Sequence, residues 1–544
     1  MTRTVNGDAA GVGTPDVAQA RVAAKPATRR FHQARWDEKL IFELDAPGER
    51  GVLVPAPDPD VAAAAGDLAE RLPAVLLRRT PPGLPEIGQQ RVLRHYLRLS
   101  QENLGADLNV DVGQGTCTMK YSPKVNDTFV RDPRIAQLHP AQDESTTQGV
   151  LEIIYRLERL LAEISGMDRV SLQPAAGSAA IWANVSMIRA CLAARGESGT
   201  RDEVITTSFS HPSNAACAKT AGFRVITLPP DADGYPDIEA LRAAVGPRTA
   251  ALLITNPEDT GIYNPRIDEF VRLVHDAGGL CSYDQANANG LLGITRARDA
   301  GFDLCHFNLH KTFSTPHMCG GPAAGASAVT AELAPYLPRP TVEFDGTRYR
   351  LDDDRPESIG KTRPFYGVVP NLVRAYAWIM ALGADGLREV AETAVLNNNY
   401  LVHKVLGIHG VSLPYAEGQP RLEQARYSWR QLNEETGVHT GDLGLRMADF
   451  GTHYWTSHHP YVVPEPMTLE PTESYSRADL DEYAAILAEV AREAYDDPDT
   501  VRTSPHRAPV HRNREGSLDD PHAWAVTWRG YRRKVLGETS QDGT

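Results

Sequence analysis

The chain has 544 residues, 42% hydrophobic and 23% charged, which suits one large α/β domain with a smaller companion and excludes a disordered or fibrous chain. A formal net charge of −14 argues against nucleic acid or an anionic membrane surface as the main partner. The six cysteines show no CxxC pair or zinc spacing, no run of about eighteen apolar residues occurs, and the N-terminus lacks a signal-peptide core, so a cytoplasmic protein is expected.

Residues 1–35 are rich in Ala, Gly, Arg and Pro without an apolar period and read as a mobile leader. Residues 36–134 carry short helical patterns such as QQRVLRHYLRLSQEN, broken by PPGLP. They read as an arm that wraps a neighbour, or as a small subdomain. Residues 135–385 change character. TTQGVLEIIYRLERLLAEISGM has helical apolar spacing and stops near Gly166. Six short apolar strands follow: RVSLQP, DEVITTS, FRVITLP, AALLITNP, GGLCSYD and LCHFNL, with helical segments such as DIEALRAAV and RIDEFVRLVHDAG between most of them. That alternation predicts βαβ units and a mainly parallel sheet covered on both faces. The run from KTRPFYG to VHKVL predicts two or three helices. Residues 386–505 read as a small α+β domain closed by the amphipathic ADLDEYAAILAEVAREAYDD, and residues 506–544 as a polar tail.

Ligands of open parallel sheets gather at the carboxyl ends of the strands, and four motifs sit there. In LQPAAGSAA, Gly177 permits close backbone approach, and Ser178 with the helix N-terminal amides forms a phosphate cradle or a plain strand-to-helix turn. His211 follows DEVITTS, placed to stack on a flat heteroaromatic ligand or to cap the next helix. Asp284 ends GGLCSYD, where a buried carboxylate needs a cation or an N–H partner, or serves as an N-cap. Lys311 ends LCHFNLHK, where an amine can hold an aldehyde as an imine or simply be solvated. Singly each is ambiguous. In order, with Lys311 27 residues after Asp284, they match the cofactor logic of pyridoxal-phosphate enzymes of the aspartate aminotransferase type, fold type I. The histidines His453, His458 and His459 fit no usual metal spacing, and no metal is expected.

Longer stretches are more specific. GTCTMKYSPK, LHPAQDESTTQG, ISGMDRVSLQPAAG, NLHKTFSTPH, SIGKTRPFYG, NLVRAYAWIMALGADGLREV and LEPTESYSRADLDEY together resemble subunit 2 of the glycine-cleavage P-protein, the pyridoxal-phosphate-dependent glycine decarboxylase, over residues 90–505. The resemblance implies release of CO2 from glycine and transfer of the aminomethyl group to lipoyl H-protein, with pyridoxal 5'-phosphate as cofactor. It implies Lys311 as the imine lysine, Asp284 as pyridinium partner, His211 as stacking residue and Gly177–Ser178 as phosphate turn. Thr255, Asn256, Asn287, His310 and Thr312 are then expected to line the same pocket. It also implies association, as a homodimer or with a subunit 1-like chain.

The departures from the family pattern cluster at the site. Gly177, Ser178, Ala179, Ala180 and Ile181 stand where the family reads approximately Gly-Ala-His-Gly-Glu, and Met318 and Cys319 replace two glycines. Phe209 to Ala215 replace the pattern Ser-Ala-His-Gly-Thr-Asn-Pro. An altered pocket on an intact cofactor apparatus leaves a second reading open: decarboxylation, transamination or aldol-type chemistry on another amino acid or amine. A non-catalytic scaffold subunit is the third. Arg363 and Lys120 are the candidates for holding a substrate carboxylate.

Overall fold

A computed structural model describes residues 28–538 apart from positions 30, 53, 81, 105–111, 113–119, 318–322, 453–461, 513–519, 521 and 523. In the arm, two amphipathic helices form, α1 (Gln89–Gln101) and α2 (Lys124–Arg131), and Arg374 ties α2 to the body through Asp127 at 2.7 Å. Helix α3 (Gln148–Ser165) buries Val150, Leu151, Ile154, Leu157 and Leu161, the i, i+3, i+4 stripe of its sequence. It ends at Gly166 with φ 71°, a left-handed conformation that costs a residue without a Cβ little.

Seven strands make one sheet: β1 (Arg169–Ser171), β2 (Glu203–Thr207), β3 (Arg224–Leu228), β4 (Thr249–Thr255), β5 (Leu280–Gln285), β6 (Leu304–Asn308) and β7 (Gly325–Val329), in the spatial order β1-β7-β6-β5-β4-β2-β3. Strands β2 to β6 pair in parallel. Their crossovers include α4 (Gly177–Ala194), α5 (Pro212–Thr220), α6 (Ile238–Ala244) and α7 (Ile267–Asp276). Because helices cover both faces, the central strands are buried along nearly their whole length, which is why they read as continuous apolar runs.

The seventh strand has no counterpart among the six predicted ones. Its Gly-Ala-Ser-Ala-Val carries little intrinsic strand preference, and it forms because it fits antiparallel between β6 and β1. A hairpin, β8 (Thr341–Phe344) and β9 (Tyr349–Asp352), packs on α3. The predicted two or three helices appear as two, together α8 (Val369–Val405), separated by a kink at Gly383, whose φ of 66° and ψ of −174° are non-helical.

Beyond α8, β10 (Ala425–Ser428) pairs antiparallel with β11 (Pro466–Leu469), and α9 (Arg430–Thr436), α10 (Thr440–Ala448) and α11 (Arg477–Asp496) pack around them. This second core holds Tyr427, Trp429 and Tyr483. Helix α8 serves both cores, with Ala391 packed under the sheet and Leu401 in the second core. Among the described residues, no helix is long and apolar enough to cross a membrane.

Candidate active site

The alternation of a strand sorts β6 into two roles. Cys305, Phe307 and Leu309 enter the sheet core, while His306, Asn308 and His310 line a cavity at the carboxyl ends of β4, β5 and β6. Lys311 comes one residue later and lines the same cavity, almost fully buried, its backbone N–H donating to Asn308 O at 3.0 Å. The cavity leaves about 150 Å³ for the centres of water-sized spheres and opens to solvent through a mouth.

Asp284, at the end of β5, is 2% exposed. The Ala286 N–H donates to its Oδ1 at 3.0 Å and the Asn214 amide to its Oδ2 at 2.8 Å. Strand register sets His306 directly across from it, with Nε2 3.2 Å from Oδ1 but off any hydrogen-bond axis. Burial pushes the Asp284 carboxyl up, yet the field of His306, those two N–H donors and His211 outweigh it and hold the group below the ordinary carboxylate range. Burial pushes His306 down. The negative charge of the pair therefore sits on Asp284, the member with aligned donors.

Gly177 and Ser178 open α4, whose N-cap Ala176 offers no side-chain acceptor, so the first amides of an 18-residue helix face the cavity uncapped. The Ser178 hydroxyl lies 2.7 Å from the Ser213 hydroxyl, which brings the start of α5 alongside. His211 lines the cavity and also takes the capping role weighed for it in the sequence: its Nδ1 accepts from Ser213 N–H at 3.1 Å.

The other predicted residues divide. Thr255, Asn287 and His310 line the cavity. His310 Nδ1 lies 2.9 Å from Ala324 O, its ring meets His317 edge-on at 4.5 Å, and burial pushes its imidazole down to about 3, so the ring is neutral. Asn256 and Thr312 do not line it. The Asn256 side chain bridges the Asn264 backbone at 2.8 and 3.2 Å, and Thr312 Oγ1 accepts from Ala288 N–H at 2.9 Å, so both close the loops that frame the site. Lys120 and Arg363 are not lining residues either. Lys120 is fully enclosed, paired with Glu473 at 3.0 Å and set over the Trp378 ring. His453, His458 and His459, like Met318 and Cys319, lie outside the described residues.

Comparison with known proteins bears on this arrangement. Residues 183–317 match the family described as aminotransferase class-V, and residues 390–509 match "Glycine dehydrogenase, C-terminal domain". Over 514 residues the chain is 44% identical to a probable glycine dehydrogenase (decarboxylating) subunit 2 of Pyrococcus abyssi, covering 93% of this chain and 99% of the relative. The chain belongs to the glycine dehydrogenase (decarboxylating) subunit 2 family. A second member, from Halalkalibacterium halodurans, is 43% identical over 487 residues, covering 90% and 96% of the two chains. In fold, the chain matches a solved glycine decarboxylase (P-protein) of the glycine cleavage system in inhibitor-bound form, with a TM-score of 0.67 at 21% identity, covering 81% of this chain and 100% of that one. A NifS-like protein matches at a TM-score of 0.53 and 16% identity, covering 69% and 96%.

Enzymes of this family depend on pyridoxal 5'-phosphate. The cavity fits that group. A Cβ at Gly177 would fall 2.4 Å from Asn308 Oδ1, so a small residue is needed where the helix amides open. Among the described residues, Asn308 Oδ1 and Thr255 Oγ1 are buried at the cavity without a hydrogen-bond partner, as expected of groups that meet a polar ligand. Reading the family pattern onto the sequence missed Asn214, His306, Asn308, Asp259 and Gln424. The period-2 alternation of LCHFNLH was the available signal for His306 and Asn308. Asp259 and Gln424 reach the cavity, and Asn214 reaches Asp284, only through tertiary packing.

Proposed function

We propose that this chain is the cofactor-carrying subunit of a glycine-decarboxylating enzyme. The observation that carries the reading is the shared cavity of Lys311 and Asp284 at the ends of neighbouring strands, in a chain aligned with subunit 2 proteins over nearly its full length.

Bound pyridoxal 5'-phosphate supplies the electron sink for the pair left when the Cα–carboxylate bond breaks. In this reading Lys311 would hold the cofactor through its aldehyde carbon, and its nitrogen would be placed to carry or release a proton inside the cavity. Asp284, kept ionised by Ala286 N–H and Asn214, holds the proton on the ring nitrogen. The uncapped amides of α4, with Ser178, hold the phosphate. His211, at the start of α5, would supply a flat face to the cofactor, and neutral His310 bounds the site without adding charge.

The partners in this reading are a small amino acid, a subunit 1-like chain and a lipoyl-bearing carrier protein that takes the aminomethyl group. The test uses the purified chain with pyridoxal 5'-phosphate, a subunit 1-like partner, lipoylated carrier and carboxyl-labelled glycine. Label is expected as CO2 from the wild type and not from K311A, with a borohydride-trapped cofactor adduct on Lys311. Cofactor bound with no label release from the complete mixture sinks the glycine assignment.

A further inference from the structure

The cavity wall on the side of the second core carries polar groups that glycine has no atom to meet. Asp259, in the loop after β4, and Gln424, just before β10, line the same cavity as Lys311. Asp259 is held in place: the Arg426 guanidinium donates to its Oδ2 at 3.0 Å, and the two side chains are only 12% and 1% exposed. Arg426 is itself fixed, with Nε donating to Thr468 Oγ1 at 3.3 Å on β11 and its guanidinium over the Phe209 ring at 5.6 Å. The Gln424 amide gives one of its two N–H groups to Glu258 O at 3.1 Å.

Asp259 has only an acceptor left to offer, Oδ1, while Gln424 offers Oε1 together with its second N–H. Glu258 lies behind them, hydrogen-bonded by Thr207, and burial pushes its carboxyl up to about 8, so at neutral pH it keeps its proton and adds no charge. Drawing an ion pair out of water to the edge of a binding cavity is costly unless its remaining lone pairs are used. The Asp259 carboxylate is complementary to a donor. Glycine directs its amine to the cofactor and has no side chain to supply one.

We propose that Asp259 is a specificity-determining residue and that the cavity, besides glycine, binds α-amino acids whose side chain ends in an O–H or N–H donor. This goes beyond the glycine reading and rests on it for the cofactor pocket. A site built to accept a hydrogen bond discriminates strongly against the isostere that cannot donate one, because its own buried acceptor is then left unmet.

The test is titration of the cofactor-loaded chain with matched pairs, serine against alanine and 2,3-diaminopropionate against 2-aminobutyrate, reading Kd from the absorption of the bound cofactor. The donor-bearing member of at least one pair is expected to bind about 10- to 100-fold tighter, the range of one hydrogen bond to a charged group. The serine pair reports a hydroxyl preference and the diamino pair a preference for a protonated nitrogen. D259A is expected to erase the preference. Because D259A strands a buried guanidinium, D259A/R426M, which removes both charges, is measured beside it and must show the same loss. Equal binding within both pairs in the wild type, or a preference that survives D259A/R426M, overturns the proposal. Selectivity that persists in a chain releasing no CO2 from glycine even in the complete mixture with a subunit 1-like partner and lipoylated carrier upholds this inference and overturns the proposed function, so the two fail separately.

Discussion

Replacing Gly177 with alanine sets two effects against each other at the first residue of α4. Gly177 does not have a positive φ, so alanine fits the backbone and, by narrowing the unfolded ensemble, stabilises by about 0.4–1 kcal/mol. The new Cβ, however, would lie 2.4 Å from Asn308 Oδ1, 2.6 Å from Nδ2 and 2.8 Å from Cγ. Ordinary contact begins near 3.4 Å, so the amide of a 7% exposed side chain must move by about 1 Å, an overpacking typically costing about 1–3 kcal/mol. The clash wins, and G177A is expected to melt lower than wild type by a few degrees, at about 2–4 °C per kcal/mol for a large domain. The same substitution made in N308A meets no amide and should change sign, raising the melting temperature relative to N308A alone. Thermal unfolding of the four cofactor-free proteins decides it. If G177A is destabilising to the same extent in both backgrounds, Asn308 is not what requires the glycine.

Two further outcomes follow from the buried charges behind the site. Glu423 is 1% exposed, its Oε2 lacks a hydrogen-bond partner among the described residues, and burial together with Glu470 pushes its carboxyl up to about 8. A folded value above the unfolded 4.5 means the stabilisation is complete below about 4.5 and is lost as pH rises towards 8, at up to about 1.4 kcal/mol per pH unit. E423Q has no such loss, so its melting temperature relative to wild type should climb between pH 5 and 8 and then level; a flat difference refutes the assignment. The Lys120 side chain is 1% exposed and pairs with Glu473, and K120M leaves that carboxylate without its cation, a loss of about 3–5 kcal/mol typical of breaking a buried pair. Adding E473Q should recover much of the lost melting temperature, and no recovery would mean that Lys120 stabilises the fold mainly by packing on Trp378 rather than by its charge.

Local pattern by itself determined the six apolar strands, the helices between them and the placement of Lys311, Asp284 and His211 at strand ends, because strand and helix periods and turn residues are written within a few neighbouring positions. Longer motifs carried the family resemblance. Other features were decided only by tertiary structure. β7 has almost no strand signal of its own and exists because two neighbours offer it a slot. His306 stands against Asp284 through the β5–β6 register, and Asn308 lies under Gly177 through the packing of α4 on the sheet. Asn256 and Thr312 sit in the right stretch of sequence, yet loop closure claims their side chains. Asp259, Gln424 and Arg426 converge from segments more than 160 residues apart, as the Asp259–Arg426 contact spans 167 positions, and a periodic pattern carries no information about such pairings. A strand's period says which face a side chain takes, whereas the partner it meets there is set by long-range packing of elements that no local window contains.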